Sequence, residues 1–368
     1  MSDTSMIKRL YTGEGGVDFI GKRTRWYTIA AMFILIALAS IAIRGFSLGI
    51  DFEGGTKMNM PAGDLDETRV EQVFEEATGV DPHAVQVVGS GDARILEITS
   101  ERLGEDQIND ARAALYDAFQ PKDSQGDPSP DAIGDSTVSE SWGSTITQRM
   151  LLAMGVFLAL VFAFIALRFE KLMGVSAIAC ITVDAIVISG VYALIGFEVT
   201  PATVIGLLTV LAFSLYDTVV VFDKVSELTA GFQSSRRRTY AELANRAINQ
   251  TVMRSISTTV LSALPIISLM VVAVWMLGVG TLKDLALVQL IGVVQGTLSS
   301  IFLAAPCLVS MKNRTKEVRE HNAAVERYRS GAAEEPEEAP VDTGRTVHAP
   351  RPAEYGQPEA LSWRPTTH

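Results

Sequence analysis

Six apolar stretches, each long enough to cross a lipid bilayer, constrain this 368-residue chain more than any other feature. A hydrocarbon core of about 30 Å requires roughly 20 mainly apolar residues in a helix. The stretches lie at 26–43, 150–167, 172–195, 201–222, 255–277 and 285–309. The whole chain has 48% hydrophobic and 20% charged residues. Together with the six stretches, this composition predicts a polytopic α-helical membrane protein rather than a soluble globule.

The first apolar stretch has two interpretations, a cleaved signal peptide or a membrane span. A signal peptide has an apolar region of about 7–15 residues after a short basic segment. Here the apolar run is longer, and residues 1–25, which include Asp3, Glu14 and Asp18, precede it. We therefore expect an uncleaved first span.

The composition disfavours several function classes. With 31 Lys and Arg against 42 Asp and Glu, the net charge of −11 has the wrong sign for a nucleic-acid partner. Cys180 and Cys307 lie inside apolar stretches, so neither a disulfide framework nor a cysteine metal site is expected. The chain has no H-E-x-x-H motif and no paired aspartates of an intramembrane protease. We expect neither an enzyme nor a bound metal or cofactor.

Basic residues in the short loops predict the orientation, because Lys and Arg remain on the cytoplasmic side. They cluster before the first stretch, in every second loop and after the sixth stretch, so both termini are expected in the cytoplasm. The predicted organisation is a cytoplasmic segment 1–25, a first span 26–44, an exported domain 45–148, five further spans in 149–312 with a cytoplasmic amphipathic segment at about 236–254, and a disordered cytoplasmic tail 313–368.

The segment 45–148 has the periodicities of a folded α+β domain. Strands are expected at 57–60, 85–88, 93–99 and 137–142, and amphipathic helices at 67–78 and 107–119. The order β-α-β-β-α-β is that of the ferredoxin-like, split βαβ fold. His83 stands alone in this segment and is expected to be a surface histidine.

Three ionisable residues at membrane depth are candidates for function, because a charge inside the bilayer is costly. Asp184 lies near the centre of the third span, and Asp217 lies well inside the fourth. Arg254 opens the fifth span and could pair with Asp217, so that protonation of the aspartate breaks the pair. The structural alternatives are a static ion pair and an Asp184 that only hydrogen-bonds a neighbouring helix.

Gly292 and Gly296 form a G-x-x-x-G motif in the sixth span. Small residues at this spacing allow a second helix to approach closely. The pattern favours helix packing within this subunit over contact with a partner.

Four motifs resemble those of the SecD/SecF family of protein-export membrane proteins. The signature G-x-D-F-x-G-G-T matches Gly49, Asp51, Phe52, Gly54, Gly55 and Thr56, just after the first span. The segment 209–225 is similar to the family's fourth-span motif around an aspartate, which falls on Asp217. The segment 249–255 is similar to N-Q-T-x-x-R-[ST], whose arginine falls on Arg254, and 291–301 is similar to the sixth-span pattern.

The resemblance implies half of a twelve-span unit of the RND superfamily in the bacterial cytoplasmic membrane. The implied partners are a six-span SecD, the SecYEG channel, SecA, unfolded secretory proteins and, as a possibility, YajC. The implied activity is protein export assisted by the proton motive force, with Asp217, Arg254 and Asp184 in proton coupling. Val183 stands where some relatives have a histidine, so the role of Asp184 as relay or packing residue stays open.

Two other functions remain open on the sequence. One is a half-size RND-type transporter for small molecules or lipids, although the exported segment is small for a substrate cleft. The other is a scaffold that stabilises the translocase without conducting protons. A scaffold should tolerate neutral residues at Asp217 and Arg254.

Overall fold

The computed structural model describes residues 17–331, apart from residues 90, 124, 235 and 277–279. Within that part of the chain, six helices are long and apolar enough to cross a membrane. Spans one to four are Arg23–Arg44, Glu140–Arg168, Lys171–Ile195 and Pro201–Thr229. Span five is Tyr240–Leu269, continued by a π-helix at Met270–Met276, and span six comprises Gly280–Ser299, a π-helix at Ser300–Ala304 and Ala305–Lys312.

Local sequence determines where spans three and four meet. Gly196 ends span three in the left-handed conformation, with a φ of +82° that glycine adopts without steric cost. Thr200 begins span four, because its hydroxyl accepts a hydrogen bond from the Thr203 N–H at 3.3 Å. Pro201 occupies the first helical turn, where no donor is missed.

Span six lies at the centre of the bundle, in contact with spans three, four and five. Span one packs along span three, whereas span two contacts spans three and four less extensively. In the most apolar part of span six, 50% of the residues are buried inside the protein, compared with 11% in span two. Span two therefore presents most of its surface to lipid.

Between spans one and two lie a short strand β1 (Ser47–Leu48) and an α+β domain. The domain contains strands β2 (Gly55–Pro61), β3 (Ala84–Val88), β4 (Ile95–Ser100) and β5 (Gly134–Val138), and helices Glu67–Thr78 and Glu105–Phe119. The sheet order is β3-β4-β2-β5 with antiparallel neighbours. The predicted ferredoxin-like arrangement is confirmed.

One face of this sheet and the two helices enclose a separate apolar core. Its largest fully buried side chains are Met58, Met60, Phe74, Leu96, Ile98 and Leu115. Alternate residues of β4 are buried, as the period of two for a half-covered sheet requires.

The glycine-rich signature forms the turn from the membrane into the sheet. Gly54 and Gly55 have φ values of +83° and +141°, which other residues rarely adopt. A Cβ on Gly55 would lie 2.6 Å from the carbonyl oxygen of Ser100. The buried Thr56 hydroxyl accepts a hydrogen bond from the Leu103 N–H at 3.0 Å. Both glycines and the threonine are therefore required by the geometry of this turn.

The first half of the same signature contacts the bundle. The Gly49 N–H donates to the Val199 carbonyl at 2.9 Å, between spans three and four. A Cβ on Gly143 of span two would lie 2.5 Å from the Phe52 carbonyl oxygen. Asp51 is half-buried, and this burial raises the pKa of its carboxyl group above the usual value.

Two further links join the domain to the loop between spans three and four. β1 pairs in parallel with β6 (Glu198–Val199) of that loop. Lys57 of β2 forms an ion pair with Glu198 at 3.2 Å. Burial acts to lower the pKa of Lys57, but the carboxylates of Glu198 and Glu97 outweigh it and hold that pKa above its usual value. The domain is thus anchored to the bundle by backbone and by charge.

The last strand of the domain differs from the prediction at 137–142. Strand β5 ends at Val138, and Ser139 caps span two by accepting a hydrogen bond from the Trp142 N–H at 3.3 Å. Because a serine cap satisfies the first free N–H groups of a helix, the chain from Glu140 onward is helical.

The amphipathic segment predicted at about 236–254 is not a separate element. Thr239 caps a helix that runs from Tyr240 to Leu269 without interruption. Its apolar positions Ala247 and Ile248 are fully buried in the bundle rather than placed on a membrane surface. The burial of this face makes the segment the first part of span five.

The predicted disordered tail at 313–368 begins too early. Lys316–Arg329 is a helix whose residues Val318, His321 and Val325 are buried at helical spacing. His321 packs against Phe232, with ring centroids 4.9 Å apart. This apolar face explains why the segment is ordered; residues 332–368, like residues 1–16, lie outside the described residues.

The seam between spans one and three leads to a stability prediction. At Gly190 a Cβ would lie 3.1 Å from the Ala37 carbonyl carbon and closer still to its Cα and Cβ. We expect Gly190→Leu to destabilise the chain by about 1–3 kcal/mol through overpacking, measured as a lower melting temperature in detergent. Gly155→Leu is the matched control, since no atom lies within 4 Å of its Cβ position. Equal melting temperatures of the two variants would contradict the close packing of spans one and three at Gly190.

Candidate functional site

Span three holds one carboxylate deep inside the bundle. Asp184 is fully buried, with 0% of its surface exposed. It accepts hydrogen bonds from Ser214 Oγ at 2.5 Å, Ser299 Oγ at 2.8 Å and Gln295 Nε2 at 3.2 Å. Because Ser214 belongs to span four and the other two donors to span six, this carboxylate joins three helices.

A second carboxylate lies on span four. Asp217 is 4% exposed. It accepts hydrogen bonds from Ser255 Oγ of span five at 2.8 Å and from Ser300 Oγ of span six. This carboxylate therefore joins spans four, five and six.

Two consecutive serines of span six donate hydrogen bonds to the two carboxylates. Ser299 is the last residue of the regular helix and Ser300 is the first of the π-helical turn. Pro306, six residues after Ser300, has no N–H to donate to the preceding turn. Single π-helical turns inside α-helices occur frequently at functional sites, and this one lies where the two carboxylates meet span six.

Each serine also has a second acceptor on its own helix. Ser299 Oγ lies 3.1 Å from the Gly296 carbonyl oxygen, and Ser300 Oγ lies 3.0 Å from the Thr297 carbonyl oxygen. A hydroxyl has one hydrogen to donate. Each serine can therefore bind either a carboxylate across the bundle or its own helix, but not both at full strength.

Neither carboxylate forms an ion pair with Lys, Arg or His in the part of the chain that the structure describes. Burial of an unpaired ionised carboxylate is costly. Hydroxyl donors offset part of that cost. Beside Asp217, the Thr218 hydroxyl is buried without a hydrogen-bond partner among the described residues.

Arg254 does not occupy the position predicted for it. Its side chain is exposed, and its nearest polar partner is the Tyr216 hydroxyl, 3.5 Å from Nη2. The neighbouring residue Ser255 points inward and binds Asp217 instead. Consecutive helical residues point about 100° apart, so Arg254 and Ser255 cannot both face this carboxylate. The predicted Asp217–Arg254 pair is wrong for this structure.

Gly292 and Gly296 lie where span six meets span four. A Cβ on Gly292 would overlap the Val210 side chain, and one on Gly296 would lie 2.8 Å from the Ser214 Cβ. Directly after Gly296, the hydroxyl of Thr297 forms a hydrogen bond of 2.5 Å with that of Thr259, between spans five and six. The close approach at the glycines lets Ser214 and Asp217 reach the hydrogen-bond network of span six.

Of the remaining sequence candidates, His83 is exposed on the α+β domain, apart from this site, and Cys307 is partly buried. Cys180 is buried one turn before Asp184 and lies near Ser299 and Thr218. Among the described residues, no group of three or more His, Cys, Asp or Glu side chains is arranged to hold a metal ion.

Sequence reasoning missed the donors to the carboxylates. Ser214, Ser255 and Ser300 carry no local signal, because each of them donates to a carboxylate on another helix.

Comparison with known proteins supports a protein-export family. The family described as "Protein export membrane protein SecD/SecF, C-terminal" matches residues 120–314, and the SecD/SecF GG motif matches residues 39–63. The protein translocase subunit SecF of Mycobacterium tuberculosis is 52% identical over 341 residues, which cover 92% of this chain and 77% of that protein. The SecF of Streptomyces coelicolor is 37% identical, and the match covers 91% of this chain and 88% of that protein.

A solved structure is similar as well. The crystal structure of SecDF, a translocon-associated membrane protein from Thermus thermophilus, matches with a TM-score of 0.69 and 26% identity. The match covers 82% of this chain but 39% of that one. This chain therefore corresponds to part of SecDF. On these grounds, the chain belongs to the SecF family of multi-pass membrane proteins within the SecD/SecF protein-export group.

Proposed function

We propose that the chain is an accessory subunit of the Sec translocase that works with SecD to assist export of unfolded secretory proteins across the bacterial cytoplasmic membrane. SecYEG is the proposed channel, SecA the proposed motor, and the proton motive force the energy source. Related chains of similar length are named protein translocase subunit SecF. The observation that carries the proposal is the pair of buried, cation-free carboxylates bound to adjacent serines of span six.

The chemistry of the site supports a proton-dependent change. An ionised Asp217 accepts hydrogen bonds from Ser255 and Ser300, whereas a protonated one must donate a hydrogen itself. When Asp217 takes up a proton, Ser300 can turn its own hydrogen to the Thr297 carbonyl, 3.0 Å away. The bond between spans four and six then weakens. The same exchange at Asp184 would release Ser299 to Gly296.

The membrane potential is large enough to bias such a change. Moving one charge through 100 mV yields about 2.3 kcal/mol, which shifts an equilibrium by roughly 50-fold. A conformational equilibrium of a few kcal/mol between two packings of span six lies within this range.

Two contacts connect the α+β domain to the spans that would move. Lys283, near the start of span six, lies with its Nζ 3.5 Å from Gln86 Oε1 of β3. The Lys57–Glu198 ion pair ties β2 to the loop before span four. We propose that the domain lies outside the cytoplasm, with both termini inside, and tilts when spans four and six shift relative to each other.

We propose that SecD covers the face of spans four and five that carries Arg254. Tyr216 is 53% exposed there, and the exposed side chains of span five nearby include the apolar Ile256, Val260 and Leu261. A guanidinium facing lipid at the depth of Asp217 is costly, so a protein partner is the better neighbour. This position lets Arg254 take part in proton coupling from the interface rather than through the pair predicted from sequence.

Cross-linking tests this face. We expect Arg254→Cys to form a cross-link with cysteines introduced into the spans of SecD in native membranes. Leu160→Cys on span two, 66% exposed, is the matched control and should form none. The proposed partner face fails if Leu160→Cys cross-links to SecD and Arg254→Cys does not.

A vesicle assay tests the function itself. We expect Asp217→Asn to abolish the part of secretory-protein export that depends on a proton gradient, because the amide cannot bind a proton. Export in membrane vesicles with and without the gradient is the measurement, after normal assembly with SecD is verified. Asp223→Asn is the matched control, since Asp223 lies on the same helix but is exposed and paired with Arg168 at 3.0 Å.

The two outcomes separate a coupling subunit from a scaffold. Loss of the gradient-dependent component in Asp217→Asn alone supports coupling. Equal gradient dependence of wild type and Asp217→Asn would leave a scaffold that stabilises the translocase without conducting protons.

A further inference from the structure

A groove opens on the lipid-facing side of the bundle between spans one, three and six. It encloses about 310 Å³. Its walls are mainly apolar and include Trp26, Ala30, Phe33, Val187 and Phe302. Phe33 at its rim is 50% exposed, so the groove opens towards lipid rather than into the bundle.

Spans one and three pack along each other. Their closest approach is where Gly190 meets Ala37. Nearer the start of span one, Trp26 packs on Phe302 of span six, with ring centroids 4.2 Å apart. The Trp26 indole N–H is buried and has no hydrogen-bond partner in the part of the chain that the structure describes. This combination leaves an apolar space with one unsatisfied donor in its wall.

Basic side chains lie one helical turn before the groove. Lys22 and Arg23 precede Trp26 by four and three residues, and Arg25 precedes Ile29 of the groove wall by four. Residues at this spacing share a helical face. Among the described residues none of the three forms an ion pair, and the first turn of span one has no acidic residue. Asp18 is nearby, but its carboxylate accepts the Gly21 N–H at 2.6 Å.

The groove and the basic side chains together span one leaflet. From Arg23 to Phe33 span one rises about 15 Å, which is half of a hydrocarbon core of about 30 Å. The groove itself, from Trp26 to Phe33, accounts for about 10 Å of this rise. This arrangement matches the two parts of a lipid molecule. The basic side chains at the head-group level can bind the lipid phosphate, and the apolar groove can hold an acyl chain.

We propose that this groove binds one acyl chain of an anionic phospholipid, whose phosphate is held by Lys22, Arg23 and Arg25. The site is independent of the proposed export function and requires no partner protein. Its inner wall includes Gln295 and Ser299, which are donors to Asp184. A bound chain would therefore exclude water from that side of the carboxylate.

Fluorescence quenching by brominated lipids tests this site. The full chain with Trp142→Phe, Trp275→Phe and Trp363→Phe retains Trp26 as its only tryptophan. It is reconstituted in phosphatidylcholine containing a small fraction of brominated phosphatidylglycerol or brominated phosphatidylcholine. We expect phosphatidylglycerol to reach half-maximal quenching at a lower mole fraction, by about fivefold for each basic residue that contacts the phosphate, since such a contact contributes about 1 kcal/mol.

Matched variants distinguish specific lipid binding in the groove from ordinary contact with surrounding lipid. Ala30→Phe fills the groove and should remove the preference, whereas Ala31→Phe on the exposed face of the same helix should keep it. Lys22→Gln with Arg23→Gln and Arg25→Gln should also remove it. The control for charge is Lys316→Gln with Arg319→Gln, both exposed on another helix, which should keep it.

Equal quenching by the two brominated lipids would overturn the proposal and leave only non-selective contact with surrounding lipid. A preference that survives Ala30→Phe would overturn it as well. If the tryptophan replacements disturb folding, native mass spectrometry of the natural chain provides the same comparison. Phosphatidylglycerol should then remain bound to wild type and to Ala31→Phe but not to Ala30→Phe, and equal retention by all three would contradict the site.

Discussion

The hydrogen bonds from Ser299 and Ser300 to two buried carboxylates are the interaction on which the rest of this structure depends. Asp184 and Asp217 lie on different helices, and these adjacent serines connect both of them to span six. Without such donors, two unpaired carboxyl groups in the centre of a membrane bundle would be strongly destabilising when ionised. With them, both carboxylates are held to span six, and the proposed proton uptake would change how that span packs.

Two features of the fold accompany this arrangement. Spans four and six must be close, and Gly292 and Gly296 allow that approach at Val210 and Ser214. The backbone of span six also changes at the serines, where the regular helix ends at Ser299 and a π-helical turn begins at Ser300. The same helix continues to Lys283, beside the α+β domain. One element thus contacts both the carboxylates and the domain that is proposed to tilt.

Much of the architecture could be predicted from the sequence because its signals are local. Apolar runs identified the six spans, and the alternation of strands and helices identified the ferredoxin-like domain. The errors also have local causes. Ser139 is a helix cap that was assigned to a strand, and the apolar face of Lys316–Arg329 was assigned to a disordered tail.

The site was less predictable because it depends on contacts between helices. The depth of Asp217 and Asp184 indicated their importance, but depth does not determine which side of a helix faces a partner. Arg254 and Ser255 are neighbours in sequence, and a rotation of about 100° between them decides that the serine binds Asp217. Only the packed structure distinguishes the two.

Infrared difference spectroscopy of the reconstituted chain tests the central claim most directly, since it detects the carbonyl stretch of protonated carboxyl groups. If the carboxylates are coupled through Ser299 and Ser300, then Asp184→Asn will move the pH midpoint at which the Asp217 band appears, while Asp223→Asn will leave it unchanged. An Asp217 midpoint that is the same in wild type and in Asp184→Asn would contradict the coupling through span six.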